Sequence, residues 1–275
     1  MKNMAAIVIP VYKRPDRYEE ASFTQCLNIL GAYPFCLVTH KELDISCYTT
    51  LLEEYGCRYE VAAFDKSYFC NGLSGYNRLL LSRNFYETFC RYEYILVYQL
   101  DAYVFGDELT DWCNKGYAYV GAPWFEDFGK SHTVSPLKAV GNGGFSLRHI
   151  PSFLSAFDYM DKRNKRISAF NYWNRHLINW YYGYSPRFII SRYIGKSNTL
   201  RHFHASYINE DAFWSQIVPE AVNEFKVAPI AEAVGFSFEA DPAWMFEQNN
   251  RQLPFGCHAW LKNQYEDFWK EFIEL

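Results

Sequence analysis

From Ala5 to Val120 the chain alternates short apolar, β-branched runs with stretches of helical length, and this alternation restricts its possible folds more than any other feature. The runs are Ala5 to Pro10, Phe35 to Thr39, Tyr59 to Phe64, Tyr94 to Leu100 and Tyr117 to Val120, with helical stretches at Glu19 to Leu30 and Leu43 to Tyr55 between the early ones. Such an order implies an α/β fold, a mostly parallel sheet with helices on both faces. A further helix is predicted over Asn77 to Phe89, where Leu81, Phe85 and Phe89 share one stripe and Gly75 stands just ahead. Another is predicted over Pro151 to Lys162, with proline at its first position and Phe153, Leu154, Phe157 and Met160 on the buried side. Two more are expected from Asn209 to Ile217, before Pro219, and from Gln264 to Phe272. Residues 164 to 207 keep no steady period and read as an irregular insertion or lid. No repeat, low-complexity tract or linker divides the chain, so one domain over 1–275 is expected.

The charge balance, 27 Lys and Arg against 31 Asp and Glu with no basic tract, argues against nucleic acid as a partner, because phosphate neutralisation needs clustered cations. Apolar windows reach about seven residues where a membrane span needs roughly 20. No apolar h-region follows Met1 and Lys2, so a cytoplasmic protein is expected. The 8 cysteines are scattered without a C-x-x-C pair and read as small buried hydrophobes of a reducing compartment. The 23 Tyr, 23 Phe and 8 Trp serve the core or offer flat faces for sugar rings and bases, and composition does not separate the two uses.

In open α/β sheets ligands bind beyond the carboxyl ends of the strands, so polar residues directly after strand-like runs are the informative ones. Tyr12, Lys13 and Arg14 follow the first run, Asp101 the fourth, and Gly121-Ala122-Pro123-Trp124 the fifth. Asp101 emerges from an apolar strand, where a carboxylate needs a metal or a partner; a turn-capping role fits it equally. Gly141-Asn142-Gly143-Gly144 permits close backbone approach, or is only a turn, and Asn209-Glu210-Asp211 sets two carboxylates at a helix start, where capping is the simpler reading. His258 lies in an apolar stretch bent by Pro254 and Gly256 and reads as a core histidine or a ligand.

Together these blocks resemble a family. Val8-Ile9-Pro10-Val11-Tyr12-Lys13-Arg14 is similar to the first strand and loop of nucleotide-sugar glycosyltransferases of the GT-A (Rossmann-like) fold, and Gly75 to Arg91 followed by Tyr94 to Asp101 resembles their polar helix and Asp-x-Asp strand. The Gln-Leu-Asp, Gly-Ala-Pro-Trp, Gly-Asn-Gly-Gly-Phe-Ser-Leu-Arg, Asn-Glu-Asp and Pro-Phe-Gly-Cys-His-Ala-Trp blocks resemble an uncharacterised bacterial family placed near them, over about residues 5 to 261.

The resemblance implies a metal-dependent glycosyltransferase of the hexosyltransferase type. It would move a sugar, with inversion, from a nucleoside-diphosphate sugar, UDP-sugar foremost, to a hydroxyl of a glycan, glycolipid or glycoprotein acceptor. Residues up to about 120 would bind the nucleotide sugar; residues from about 121 on would bind the acceptor and carry catalysis. The implied metal is Mn²⁺ or Mg²⁺, held by Asp101 and His258, the motif being incomplete because Gln99 or Tyr103 stands where its other Asp belongs. Implied donor contacts are Pro10, Tyr12, Lys13, Arg14, Arg83, Gln99 and Asp101, although an Arg83–Glu87 pair is the alternative for Arg83. Trp124, Asn142, Gly143 and Gly144 fall on the acceptor side, Asp211 becomes the general base, and Glu210 a hydrogen-bond partner of a sugar. The Glu126 to Lys138 stretch reads as a loop that orders over donor, and polysaccharide assembly at the inner face of a bacterial membrane, with peripheral association, is the implied setting. A non-catalytic carbohydrate- or nucleotide-binding protein and a metal-dependent nucleotidyl or phosphoryl transferase fit the same residues.

Overall fold

The structure is a computed structural model that describes residues 3–126, 131–163 and 209–275. Strands β1 (Asn3–Pro10), β2 (Phe35–Thr39), β3 (Tyr59–Ala63) and β4 (Tyr92–Tyr98) are mutually parallel, and β9 (Phe145–His149) and β6 (Tyr119–Val120) extend the sheet antiparallel to give the order β3-β2-β1-β4-β9-β6. This is the mostly parallel sheet that the alternation predicts. Helices α1 (Arg17–Leu30) and α2 (Ser46–Glu54) make the early crossovers, followed by α3 (Ser67–Cys70), α4 (Gly72–Leu80), α5 (Arg83–Thr88), α6 (Leu109–Asn114) and α7 (Ile150–Arg163). Later come α8 (Glu210–Ala212), a π turn (Phe213–Ile217), α9 (Val218–Ala221), α10 (Ile230–Phe236) and α11 (Pro242–Gln248). A smaller sheet joins β5 (Ala102–Val104), β11 (Gly256–His258) and β10 (Ser237–Phe238), and β7 (Ala122–Phe125) pairs with β8 (Leu137–Gly141).

The two-residue period of buried strands feeds both faces. Ala6 and Val8 of β1 with Ile95 and Val97 of β4 join the core under α5 and α7, which includes Phe153 and Trp214. Ile7, Ile9, Leu96 and Tyr98 point the other way, into the core of α1, α2 and α6. A third cluster, built on Phe238, Cys257, Trp260 and Trp269, closes the small sheet. Five of the 8 cysteines are buried as expected, whereas Cys70 and Cys90 are exposed. Among the described residues no helix is long and apolar enough to cross a membrane.

Three predicted helices differ. The Asn77 to Phe89 stretch breaks at Ser82, whose hydroxyl caps α5 by accepting the Phe85 N–H at 3.3 Å; Leu81, Phe85 and Phe89 are all buried across the break. The helix expected to stop before Pro219 runs on through the π turn to Ala221, because Pro219 sits in the first turn of α9, where its missing N–H costs little. Gln264 to Phe272 is a series of turns with a 3₁₀ segment at Trp269–Glu271, and Phe268 and Trp269 bury in the third cluster without a regular helix. The segment read as a lid, 164 to 207, lies outside the described residues, as do residues 127–130 of the supposed donor loop. In the supposed donor loop, Leu137 and Lys138 belong to β8, and the His132 N–H and Nδ1 bind the Asp241 carboxylate at 2.9 and 2.6 Å.

Candidate active site

At the carboxyl end of β4 the chain turns sharply, the Ala102 N–H donating to the Gln99 carbonyl at 2.9 Å. The turn is clamped: the Gln99 N–H donates to the Gly144 carbonyl at 2.7 Å, and the Ala102 carbonyl accepts from the Ser22 hydroxyl at 2.5 Å and the Trp260 indole at 3.3 Å. The returning strand, β5, pairs antiparallel with β11 so that His258 faces Ala102. That register brings His258 Nε2 to 3.1 Å from Asp101 Oδ1 and 3.3 Å from Gln99 Oε1. His258 Nδ1 stands 3.1 Å from Glu239 Oε1, and Glu239 Oε2 accepts the Trp124 indole N–H at 2.9 Å. Lys262 Nζ lies 3.6 Å from Asp101 Oδ2.

The charges shift one another. Burial drives the Asp101 carboxyl up, but the His258 imidazole and then the Lys262 ammonium outweigh it and hold the carboxyl at about 2. Burial alone disfavours an imidazolium, yet Asp101 and Glu239 on its two nitrogens raise His258 to about 10.

Asn142 turns the β8–β9 loop with a left-handed φ of 84°, its Oδ1 accepting the Gly144 N–H at 2.8 Å and the Phe145 N–H at 3.2 Å. Both glycines after it are required by close approach. A Cβ on Gly144 would fall 2.0 Å from His258 Nε2, and one on Gly143 would fall 2.4 Å from Glu210 Oε1. The loop backbone is thus pressed between the imidazole and the start of α8. There Asp211 accepts the Gly143 N–H at 2.9 Å and the Ala212 N–H at 2.8 Å. Burial first, and then the Glu210 charge, push the Asp211 carboxyl up to about 7, against the Ala212 N–H.

Glu210, the implied sugar partner, is engaged within the protein. Both its oxygens are taken by Arg148, at 2.7 and 2.8 Å in a fully buried bidentate pair, and Arg148 also donates to the Tyr86 and Ser146 hydroxyls. Arg83 forms the Glu87 pair that was its alternative reading, at 2.7 Å, and a second pair with Asp158 at 2.8 Å, on the helix face that packs toward α7. Lys13 is drawn to Glu19 at 2.8 Å beside the capping box that Asp16 and Glu19 make for α1. Tyr12 and Arg14 are exposed after β1, and Pro10 is buried in it. Trp124 is half-buried with its indole close against Gly141, where a Cβ would lie 2.2 Å from the ring.

The implied divalent cation can be tested against these donors. Among the described residues no cluster of three His, Cys, Asp or Glu side chains has metal-binding spacing. Adjacent ligands of a hard divalent cation, each bound at 2.0 to 2.6 Å, stand about 3 Å apart. Asp101 Oδ1 and His258 Nε2 meet that spacing, and the Gln99 amide oxygen is a third donor on the same side. A set of one carboxylate, one imidazole and one amide oxygen fits a cation that completes its shell with substrate phosphates and water.

Sequence reasoning missed Arg148, Glu239 and Lys262. Glu239 follows the short apolar run ending at Phe238, the same sign by which Asp101 stood out. Arg148 carried no such sign, since a guanidinium inside a strand is legible only with its partner. Lys262, just past the last motif block, looked like an ordinary solvated lysine.

The molecule is therefore an α/β protein with a carboxylate–imidazole site at the carboxyl ends of parallel strands. It belongs to the family described as "Protein of unknown function (DUF5672)", which matches residues 58–258. No curated protein matches the sequence. Among solved structures, the chain is similar to the glycosyltransferase GlyE of Streptococcus pneumoniae TIGR4 at 12% identity and a TM-score of 0.46, over 94% of this chain and 54% of that one, about half its length. It is also similar to core-mannan synthase A (CmsA/Ktr4) of Aspergillus fumigatus in a Mn/GDP form, at 10% identity and a TM-score of 0.42, over 76% of this chain and 70% of that one. A glycosyltransferase involved in glycosylation of the major capsid of PBCV-1 matches at 9% identity and a TM-score of 0.39, over 93% of both chains.

Proposed function

We propose that this protein is a metal-dependent glycosyltransferase of GT-A type that moves a sugar from a nucleoside-diphosphate sugar to an acceptor hydroxyl with inversion. The observation that carries the reading is the meeting of Asp101 and His258 on one side of the Gly143–Gly144 backbone with Asp211 on the other. One end of the site holds groups for a cation and a diphosphate; the other holds a carboxylate whose affinity for a proton is near neutral. The motif blocks resemble those of GT-A transferases in the same order.

Asp211, oriented by two backbone N–H donors, takes the proton of the acceptor hydroxyl as that oxygen bonds to the anomeric carbon and the bond to the diphosphate oxygen breaks. Asp101, His258 and the Gln99 amide oxygen would hold the cation, which would supply positive charge against the leaving diphosphate. Lys262 adds its charge at the same end, and the exposed Tyr12 and Arg14 flank the nucleotide. Trp124, Asn142, Gly143 and Gly144 form the acceptor side. Glu210 has a different part from the one the resemblance implies: held by Arg148, it fixes the start of α8 and so the place of Asp211. UDP-sugars are the first donors to test and glycan or lipid-linked hydroxyls the first acceptors, with peripheral membrane attachment part of the same reading.

The test is release of nucleoside diphosphate from a panel of nucleotide sugars, with and without Mn²⁺, by wild type and Asp101→Ala. Metal-dependent release that Asp101→Ala abolishes is expected. Binding without release under any acceptor would favour a non-catalytic binder; pyrophosphate or nucleoside monophosphate as product would favour nucleotidyl or phosphoryl transfer.

A further inference from the structure

Glu239 is a carboxylate to which neither the motif blocks nor the proposed chemistry assigns a part, yet both its oxygens are committed to side chains of the site. It directly follows β10, which runs parallel to β11 with Phe238 opposite Cys257, so the next step along both strands sets Glu239 beside His258. On its far side the Trp124 indole N–H holds Oε2 at 2.9 Å, and that indole is wedged on Gly141. The carboxylate is therefore gripped from two separate elements.

A neutral imidazole carries one N–H and one lone pair. For His258 to offer its lone pair at Nε2, where Asp101 and Gln99 stand, the proton must sit on Nδ1, and a buried N–H needs an acceptor. Glu239 Oε1, 3.1 Å from Nδ1, is that acceptor. We propose that Glu239 is the positioning residue of this site: it keeps the Nδ1–H tautomer of His258, aims Nε2 at the Asp101 side and ties the ring to Trp124. The inference rests on the metal-dependent reading of Asp101 and His258. A carboxylate behind a ligating histidine also raises the basicity of the ligand, and its loss lowers metal affinity by about 10- to 100-fold.

The test measures Mn²⁺ binding to the full chain in the presence of UDP, by electron paramagnetic resonance of the free ion, for wild type, Asp101→Asn, Glu239→Gln and Glu239→Asp. Glu239→Gln, isosteric but able to present an amide N–H to Nδ1, should weaken Mn²⁺ by about 10-fold or more. Glu239→Asp, which keeps the charge but shortens the reach, should fall between it and wild type. A modest fall in thermal midpoint is expected in both Glu239 variants, each of which leaves an N–H less well paired; metal-free UDP binding, measured below that midpoint, shows that the site is intact and separates positioning from a general packing role. Mn²⁺ affinity of Glu239→Gln within twofold of wild type, with binding lost in Asp101→Asn, overturns the role of Glu239 and leaves the metal reading standing. Equal binding by wild type and Asp101→Asn overturns the metal reading and this inference with it. A measurement that needs no Glu239 variant is the ¹⁵N spectrum of labelled histidines in the Mg²⁺/UDP complex, with His258 assigned by its loss in His258→Gln. Protonation at Nδ1 is expected there, and protonation at Nε2 overturns the proposal.

Discussion

His258 Nε2 and Asp101 Oδ1 stand 3.1 Å apart, although the two residues belong to opposite halves of the chain. No local feature brings them together. The contact follows from the antiparallel register of β5 on β11, which sets Ala102 against His258, and from the turn that points Asp101 out of the end of β4. The strand order reverses between β1 and β4, since β2 and β3 lie on one side of β1 and β4 on the other, and the carboxyl ends at such a reversal form the crevice in which α/β sheets commonly bind ligands.

The closeness of Gly144 to this pair makes it a sensitive position. A methyl group there would overlap the imidazole, with a Cβ 2.0 Å from Nε2, and neither the clamped loop nor the bonded ring can yield easily. Gly144→Ala should therefore cost about 1–3 kcal/mol in urea unfolding and weaken Mn²⁺-dependent nucleotide binding together. Gly106→Ala is the control, since nothing lies within 4 Å of a Cβ at that position and its φ is not left-handed. Equal behaviour of the two variants would mean that the ring moves freely.

The Asp211 carboxyl, raised to about 7, sets a pH dependence with a definite sign. A base works only when deprotonated, so turnover should hold above about pH 7 and fall about tenfold per unit below it. Asp211→Asn should remove that limb and cut turnover by about 10²-fold or more while donor binding persists. Stability runs the other way. Between an unfolded value of 3.8 and the folded value the native chain holds a proton that the unfolded chain has released, so this group's contribution to stability declines as pH rises through that window. Urea unfolding from pH 4 to 8 should show the slope in wild type and lose it in Asp211→Asn.

How far the sequence could be read followed the range of the forces involved. Strands β1 and β2 were legible because each is a continuous apolar run buried on both faces, and β3, an edge strand that is only partly buried, because its short run lies at the expected spacing after a stretch of helical length. Helix α1 was legible because its apolar stripe and its Asp16–Glu19 cap are local. The break at Ser82 was hidden because Leu81, Phe85 and Phe89 keep one apolar period on both sides of it. At the site, Asp101, Gly143, Gly144, Asp211 and His258 stood out as polar or glycine residues in apolar surroundings, and the structure brings them together. For Arg83 the Glu87 pair, four residues on, was legible as an alternative, but not Asp158 on another helix; for Glu210 the partner Arg148, on a distant strand, was not legible at all. Burial removed the solvent from that pair, and no short window of sequence carries such information.

The Arg148–Glu210 pair supplies the strongest stability prediction. Both groups are fully buried, so removing one partner leaves a charge without compensation, whereas removing both leaves an apolar core. Glu210→Ala should lower unfolding stability by about 3–5 kcal/mol, and Arg148→Met with Glu210→Leu should recover most of that loss. The double variant is also the sharper probe of function. If Glu210 acts only by fixing the start of α8, the repacked protein should retain donor binding, and any loss of turnover should appear in kcat through a displaced Asp211. If Glu210 instead bonds a sugar, the repacked double variant should show a raised KM with kcat little changed, and steady-state kinetics beside chemical denaturation on the same preparations distinguishes the two outcomes.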